Sequence, residues 1–142
     1  MDVNFIQWII HMDQDTFIKV ILIGWLLVCA IQDWREGEVS NWFTVPALVL
    51  AATYALWRGG ENLSWFAVAL VGFSALLYLD VVGGADVKIL ATLAGVWPMA
   101  FLGALFAQGL WGVVVLTQKG RGSAFRAVPT YLLGAVIIGL IY

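Results

Sequence analysis

Charged side chains are scarce in this sequence: Asp, Glu, Lys and Arg make up 11% of its 142 residues, while hydrophobic residues make up 63%. Soluble domains usually carry about a quarter charged residues. A chain with so little polar surface could not cover itself in water. The composition therefore predicts an integral membrane protein, and the length predicts a single domain over residues 1–142.

Cysteine and histidine are almost absent, which limits the possible chemistry. Cys29 is the single cysteine, so the sequence offers neither a disulfide framework nor a four-cysteine zinc site. His11 is the single histidine, which argues against histidine-based catalysis. The net charge of −2 comes without a basic run or a nucleic-acid motif. We therefore expect no nucleic-acid partner, and no metal or other cofactor is indicated.

Six apolar segments, separated by short polar breaks, predict six transmembrane helices. Residues 1–15 are expected to hold a short interfacial segment and no cleaved signal peptide, because no positive charge precedes the apolar residues. The uncharged stretch 89–117 would be about 44 Å long as one helix, against a hydrocarbon core of about 30 Å. Gly95 and Pro98 are therefore predicted to break it. The predicted spans are 17–31, 42–57, 64–82, 89–97, 99–117 and 128–142, with a glycine-rich turn at 58–63.

The distribution of positive charge predicts the orientation of these spans. With both termini outside, five of the seven Lys and Arg residues fall at the cytoplasmic face, as the positive-inside rule requires. Lys19 and Arg58 fall at the outer face. The breaks 32–41 and 83–88 are then both cytoplasmic. The five inner residues are Arg35, Lys88, Lys119, Arg121 and Arg126.

Three aspartates lie at or near that cytoplasmic face. Asp33 closes the first span, Asp80 lies late in the third, and Asp86 opens the fourth. An ionisable group within the hydrocarbon costs about 2.5–3.5 kcal/mol on insertion scales, so an apolar chain holds few without a reason. From spacing alone two interpretations stay open: each aspartate reaches interfacial water, or two of them form a reactive pair.

The sequences around two aspartates resemble a known family. Asp33-Trp34-Arg35 followed by Val39-Ser40-Asn41-Trp42-Phe43-Thr44 resembles the first aspartate motif of the type IV prepilin peptidases. Gly83-Gly84-Ala85-Asp86-Val87-Lys88 resembles their second motif, usually Gly-x-Gly-Asp-x-Lys-Leu. Residues 127–134 resemble the proline-containing approach to the family's last helix. The chain departs from the pattern at Ser40, where the family has proline, at Val39, and at Ala85, which replaces a glycine.

This resemblance implies an aspartic endopeptidase of the inner, cytoplasmic membrane that cleaves the leader of pilin-like precursors. Asp33 and Asp86 would be catalytic, one taking a proton from water while the other, protonated, polarises the scissile carbonyl. Asp86 opens a helix and Asp33 closes one, so helix dipoles predict Asp86 as the base. Because paired Cys-x-x-Cys motifs are absent, the resemblance implies the short form without the zinc-bearing region. The supporting residues would be Arg35, Asn41, Gly83, Gly84 and Lys88.

Plainer roles are open for the same side chains. Arg35 and Lys88 would anchor lipid headgroups, Asn41 would be the N-cap of the second span, and Gly83 and Gly84 would be hinges. Asp80 would be solvated at the interface or contact a basic leader.

Other functions compete with the peptidase. The chain could be a secretion scaffold, a channel or transporter, an inactive relative, or a protease that cuts transmembrane segments. Aspartates that line an ion path should lie at several depths. The placement of both motifs at one face favours the peptidase.

Overall fold

The computed structural model describes residues 13–119 and 127–141, and these residues form six helices. The predicted all-α class is therefore confirmed. Residues 1–12 of the predicted interfacial segment lie outside the described residues, as do residues 120–126, which include Arg121 and Arg126. In chain order the helices are α1 (Gln14–Glu36), α2 (Asn41–Arg58), α3 (Gly60–Tyr78), α4 (Gly84–Val96), α5 (Pro98–Lys119) and α6 (Val128–Ile141).

Length and composition identify the helices that suit a bilayer. In the described part of the chain, three segments are long and apolar enough to cross a membrane: Gln14–Glu36, Gly60–Tyr78 and Pro98–Val115. Helix α6 is apolar but has 14 residues, fewer than the roughly 20 that a straight span needs. The chain is thus a membrane protein by these helices, while the count of six spans and the outward termini stay predictions.

Helix α4 occupies the centre of the bundle. It packs against α2, α3 and α5, while α6 packs against both α5 and α1. Nearly all of the α4 side chains from Val87 to Gly95 are buried. The predicted break before Pro98 is confirmed, and the Asn62 amide donates to the Gly95 carbonyl at 2.9 Å where α4 ends. This hydrogen bond satisfies a carbonyl that the end of the helix leaves without an intrahelical partner.

Two predicted boundaries were wrong at the ends of α3. The turn predicted over 58–63 is a single residue, Gly59, because Gly59 and Gly60 both adopt positive φ (64° and 50°) and reverse the chain at once. At its other end α3 stops at Tyr78 rather than residue 82. Asp80 lies beyond the helix with φ 54°, a left-handed conformation that Asp tolerates better than most residues. The Asp80 N–H bonds the Leu77 carbonyl at 3.0 Å, so Asp80 helps to end α3.

Helices α5 and α6 approach unusually closely at two glycines. A Cβ atom added to Gly134 would lie 2.4 Å from the Gly103 carbonyl oxygen. Small residues at such crossings let helix backbones touch, which is how membrane helices gain packing energy without a hydrophobic drive. This contact fixes the position of α6 against α5.

Candidate active site

Asp33 lies near the end of α1, and its side chain is buried, with 7% exposure. Gly37 ends the helix in the left-handed conformation and returns its N–H to the Asp33 carbonyl at 3.0 Å. The Asp33 carboxyl accepts a hydrogen bond at 3.3 Å from the backbone N–H of Val128, the first residue of α6. A helix N-terminus with its free N–H groups therefore faces this carboxyl.

Asp86 is the third residue of α4, and its carboxyl accepts a hydrogen bond from the backbone N–H of Gly83. Gly83 is the N-cap, so this is the reciprocal half of a capping box. A Cβ atom at Gly83 would lie 3.1 Å from Asp86 Oδ2. Gly83 has extended φ and ψ of −74° and 151°, and Gly84 is the first residue of the helix, while the hinge role of the two glycines stays a prediction.

The structure brings the two carboxyls together. Asp33 and Asp86 lie close enough to interact electrostatically although they come from α1 and α4. The Tyr131 side chain of α6 forms a hydrogen bond with the Asp86 carboxyl and also interacts with Asp33. Tyr131 is 1% exposed. The cluster of Asp33, Asp86 and Tyr131 therefore joins three helices at one end of the bundle.

The start of α2 is held next to this cluster by polar contacts. Asn41 Oδ1 accepts a hydrogen bond from Lys88 Nζ at 2.5 Å, which ties the first residue of α2 to the second turn of α4. The expectation that Asn41 caps α2 is wrong, because Ser40 is the N-cap and its Oγ accepts from the Trp42 N–H at 3.3 Å. Ser40 also donates its backbone N–H to Gln32 Oε1 at 3.1 Å. Proline, which lacks this N–H, could not make that bond.

Arg35 lies apart from these contacts. It is exposed in the last turn of α1 and lines a shallow depression of about 240 Å³ with Trp34 and Pro129. A cation in the last turn also suits the negative end of the α1 dipole. Its surface position fits the headgroup-anchor interpretation.

The comparison with protein families places these motifs in context. The model of the type IV leader peptidase family matches residues 20–142, which include both aspartates and all helices except the beginning of α1. The chain belongs to the type IV leader peptidase family. Comparisons with curated proteins and with solved structures gave no match. Among residues 13–119 and 127–141 of this leader peptidase relative, no group of three or more His, Cys, Asp or Glu is placed to hold a metal ion.

Ala85 is the clearest departure of this family member from its motif, and the backbone accommodates it. Ala85 is the second residue of α4, where the helix suits alanine better than glycine. The Ala85 methyl group packs against the buried hydrophobic core. The departure therefore requires no special backbone conformation.

Two contributors from α6 were missed in the sequence. Val128 and Tyr131 lie within residues 127–134, the stretch that carries the family resemblance, but neither was given a role. Tyr131 lies one turn into an apolar helix, at the end where Asp33 and Asp86 were expected. A buried tyrosine usually needs a partner for its hydroxyl, and that was the available signal.

Proposed function

We propose that this member of the leader peptidase family is an aspartic endopeptidase that cleaves the leader of pilin-like precursors. The observation that carries the proposal is the meeting of Asp33 and Asp86, from separate helices, at one end of a membrane protein. Each of these carboxyls lies in one of the two motifs that resemble the family's aspartate motifs. The family membership supplies the class of reaction.

The chemistry follows from the closeness of two carboxyls. Adjacent negative charges repel, so the pair retains one proton over a range of pH in which an isolated carboxyl would be ionised. The ionised member takes a proton from water, and that water attacks the scissile carbonyl carbon. The protonated member donates a hydrogen bond to the carbonyl oxygen, which becomes negative as the bond forms. Collapse of this adduct releases the amine, which takes a proton from the pair.

Helix α6 contributes the groups that hold the pair in place. The Val128 N–H contacts Asp33 and the Tyr131 side chain contacts Asp86, so both carboxyls are oriented from one helix. Preorganised donors of this kind keep reacting groups in register and need no reorganisation during the reaction.

The lipid bilayer is expected to be a partner of this protein in addition to the precursor substrate. We place the pair of carboxyls at the cytoplasmic face of the membrane because the positive-inside rule favours that orientation.

Cleavage of a pilin-like precursor in membranes tests the proposal. We expect Asp33→Asn and Asp86→Asn each to lower the cleavage rate by about 10³-fold or more, as removal of one member of a catalytic unit does. Asp80→Asn is the matched control, because Asp80 is exposed beyond α3 and Asn also tolerates positive φ. This control should cleave like the wild type.

Two other results would contradict the proposal. If both Asn variants still cleave at the wild-type rate, the two-aspartate mechanism is wrong. If the wild type cleaves none of several precursors while remaining folded, the scaffold, channel or inactive-relative interpretation replaces the peptidase.

A further inference from the structure

The first turn of α6 presents one backbone N–H to the carboxyl pair. The N–H groups of Thr130 and Tyr131 both bond the Ala127 carbonyl, at 3.0 and 3.3 Å. The residue before Thr130 is a proline, which has no N–H. The Val128 N–H instead bonds Asp33 Oδ2 at 3.3 Å. The rotation of α6 about its own axis therefore decides whether this N–H reaches the carboxyl.

The same turn of α6 is attached to α5 through the Thr130 hydroxyl. This hydroxyl lies 2.5 Å from Gln108 Oε1 and 2.6 Å from the Ala127 carbonyl oxygen. A hydroxyl has one proton and can donate to only one of the two oxygens at a time. When the Gln108 amide is turned by 180°, its NH₂ group donates to the hydroxyl, so that both contacts are hydrogen bonds at once. Thr130 is 9% exposed, which shelters this small network from water.

Gln108 is conspicuous in α5. Among residues 98–116 it is the only one with an amide, hydroxyl or charged side chain. Amide and hydroxyl side chains in membrane helices commonly form hydrogen bonds across to a neighbouring helix. Thr117 of the same helix behaves differently, because its hydroxyl donates to the Val114 carbonyl of α5 itself at 2.8 Å. Gln108 therefore uses its polar group between helices rather than within its own.

Two contacts with α5 fix both the distance and the rotation of α6. Thr130 and Gly134 are four residues apart, so they lie on the same face of α6. Their partners on α5, Gln108 and Gly103, follow in the opposite order along the chain, as antiparallel helices require. The glycine contact sets the distance between the backbones, and the hydrogen bond limits rotation. Held in this way, the first turn of α6 faces the two carboxyls.

We propose that Gln108 and Thr130 form a positioning pair, whose hydrogen bond holds the first turn of α6 against the catalytic carboxyls. The pair acts through Val128 and Tyr131 and not on the substrate. Without the bond α6 is free to rotate, which lengthens the 3.3 Å contact between the Val128 N–H and Asp33 beyond the range of a hydrogen bond. This inference rests on the proposed peptidase function and adds to it the residues that keep the site in register.

Cleavage kinetics with a pilin-like precursor test the pair. We expect Gln108→Leu and Thr130→Val each to lower kcat about 3- to 20-fold, the factor that corresponds to one hydrogen bond between membrane helices. KM should stay within about twofold of the wild type, because the pair does not touch the substrate. Thr117→Val is the matched control and should keep both constants, since the Thr117 hydroxyl bonds its own helix. Leucine suits hydrocarbon better than glutamine, so Gln108→Leu should still insert into the membrane.

Three comparisons separate positioning from a general loss of packing. The double variant Gln108→Leu/Thr130→Val should be no slower than the slower single variant, because either change breaks the same bond. Thr130→Ser keeps the hydroxyl and should recover most of the kcat that Thr130→Val loses. The pH–rate profile of Thr130→Val should be displaced in the same direction as that of Tyr131→Phe, since both variants weaken contacts from α6 to the carboxyls. Additive losses in the double variant, or equal losses in Thr130→Ser and Thr130→Val, would overturn the pair.

The single cysteine reports on the position of α6 without any cleavage. Cys29 of α1 is 0% exposed and belongs to the same buried cluster as Val128 and Tyr131. We expect N-ethylmaleimide to alkylate Cys29 faster in Gln108→Leu than in Thr117→Val, at a temperature below the unfolding of both. If this difference is found but the wild type cleaves no precursor, the positioning pair stands and the peptidase function fails. Equal alkylation rates with an unchanged kcat would refute the positioning pair, while cleavage by the wild type keeps the peptidase function.

Discussion

The contact between Gly134 of α6 and Gly103 of α5 gives a sharp test of how helix packing supports the candidate site. A Cβ atom at Gly134 would lie 2.4 Å from the Gly103 carbonyl oxygen, 2.5 Å from its carbonyl carbon and 2.7 Å from the Ala104 nitrogen. All three are backbone atoms, so no side-chain rotation can relieve the clash. In Gly134→Ala the two helices must move apart.

The structure sets the size of that movement. Ordinary contact begins at 3.4 Å, so the shortest approach is 1.0 Å too close. Overpacking of this kind costs about 1–3 kcal/mol. Tyr131 lies one turn from Gly134, and the Val128 N–H is 3.3 Å from Asp33 Oδ2, near the limit of a hydrogen bond. A misplacement of about 1 Å at a reacting centre can lower the rate by about 10²-fold, so we expect kcat to fall by that order.

Thermal unfolding in detergent and precursor cleavage together measure both effects. Gly112→Ala in α5 is the matched control, because a Cβ atom there meets nothing within 4 Å. That variant should be as stable as the wild type or more so, by up to about 1 kcal/mol, since alanine suits a helix better. If Gly134→Ala unfolds no earlier than Gly112→Ala and cleaves at the wild-type rate, the close packing of α6 does not position the site.

Two further predictions concern the contacts of Asp86. Gly83→Ala places a methyl group 3.1 Å from Asp86 Oδ2, so we expect a several-fold lower kcat, whereas Gly84→Ala, which meets nothing within 4 Å, should cleave normally; equal rates for the two variants would contradict the tight fit. Tyr131→Phe removes the hydrogen bond to Asp86 while keeping the ring, and loss of about 1.5–3 kcal/mol should lower kcat by about tenfold or more. An unchanged pH–rate profile in Tyr131→Phe would show that the hydroxyl does not act on the carboxyl pair.

Much of the helical layout could be predicted because it depends on local sequence and bilayer length. The uncharged stretch 89–117 was too long for one helix, and Pro98 cannot continue one, so the break followed from the chain alone. The turn at Gly59 could not be predicted in the same way. Consecutive glycines allow positive φ without requiring it, and a longer turn fitted the composition equally well.

The aspartates were easier to predict than the residues around them. A carboxyl in an apolar chain is conspicuous, whereas Tyr131 in an apolar helix has no distinguishing spacing. Ser40 and Asn41 are both good N-cap residues, and only the contact of Asn41 with Lys88 across two helices separates their roles. The approach of α5 to α6 depends on packing between helices, which no local pattern records.

The structure changes the reason for any difference between the two carboxyls. The helix-end argument made Asp86 the base because Asp33 closes α1, but the Val128 N–H brings the positive end of α6 to Asp33 as well. Each carboxyl thus accepts a backbone N–H from the start of a helix, and at Asp33 the positive end of α6 opposes the negative end of α1, so the helix-end argument is weaker than the sequence suggested. The Tyr131 side chain acts differently on the two carboxyls, because it forms a hydrogen bond with Asp86 while its effect on Asp33 is electrostatic. The assignment of Asp86 as the base stays a prediction, and a site-resolved titration in which Asp33 ionises first would contradict it.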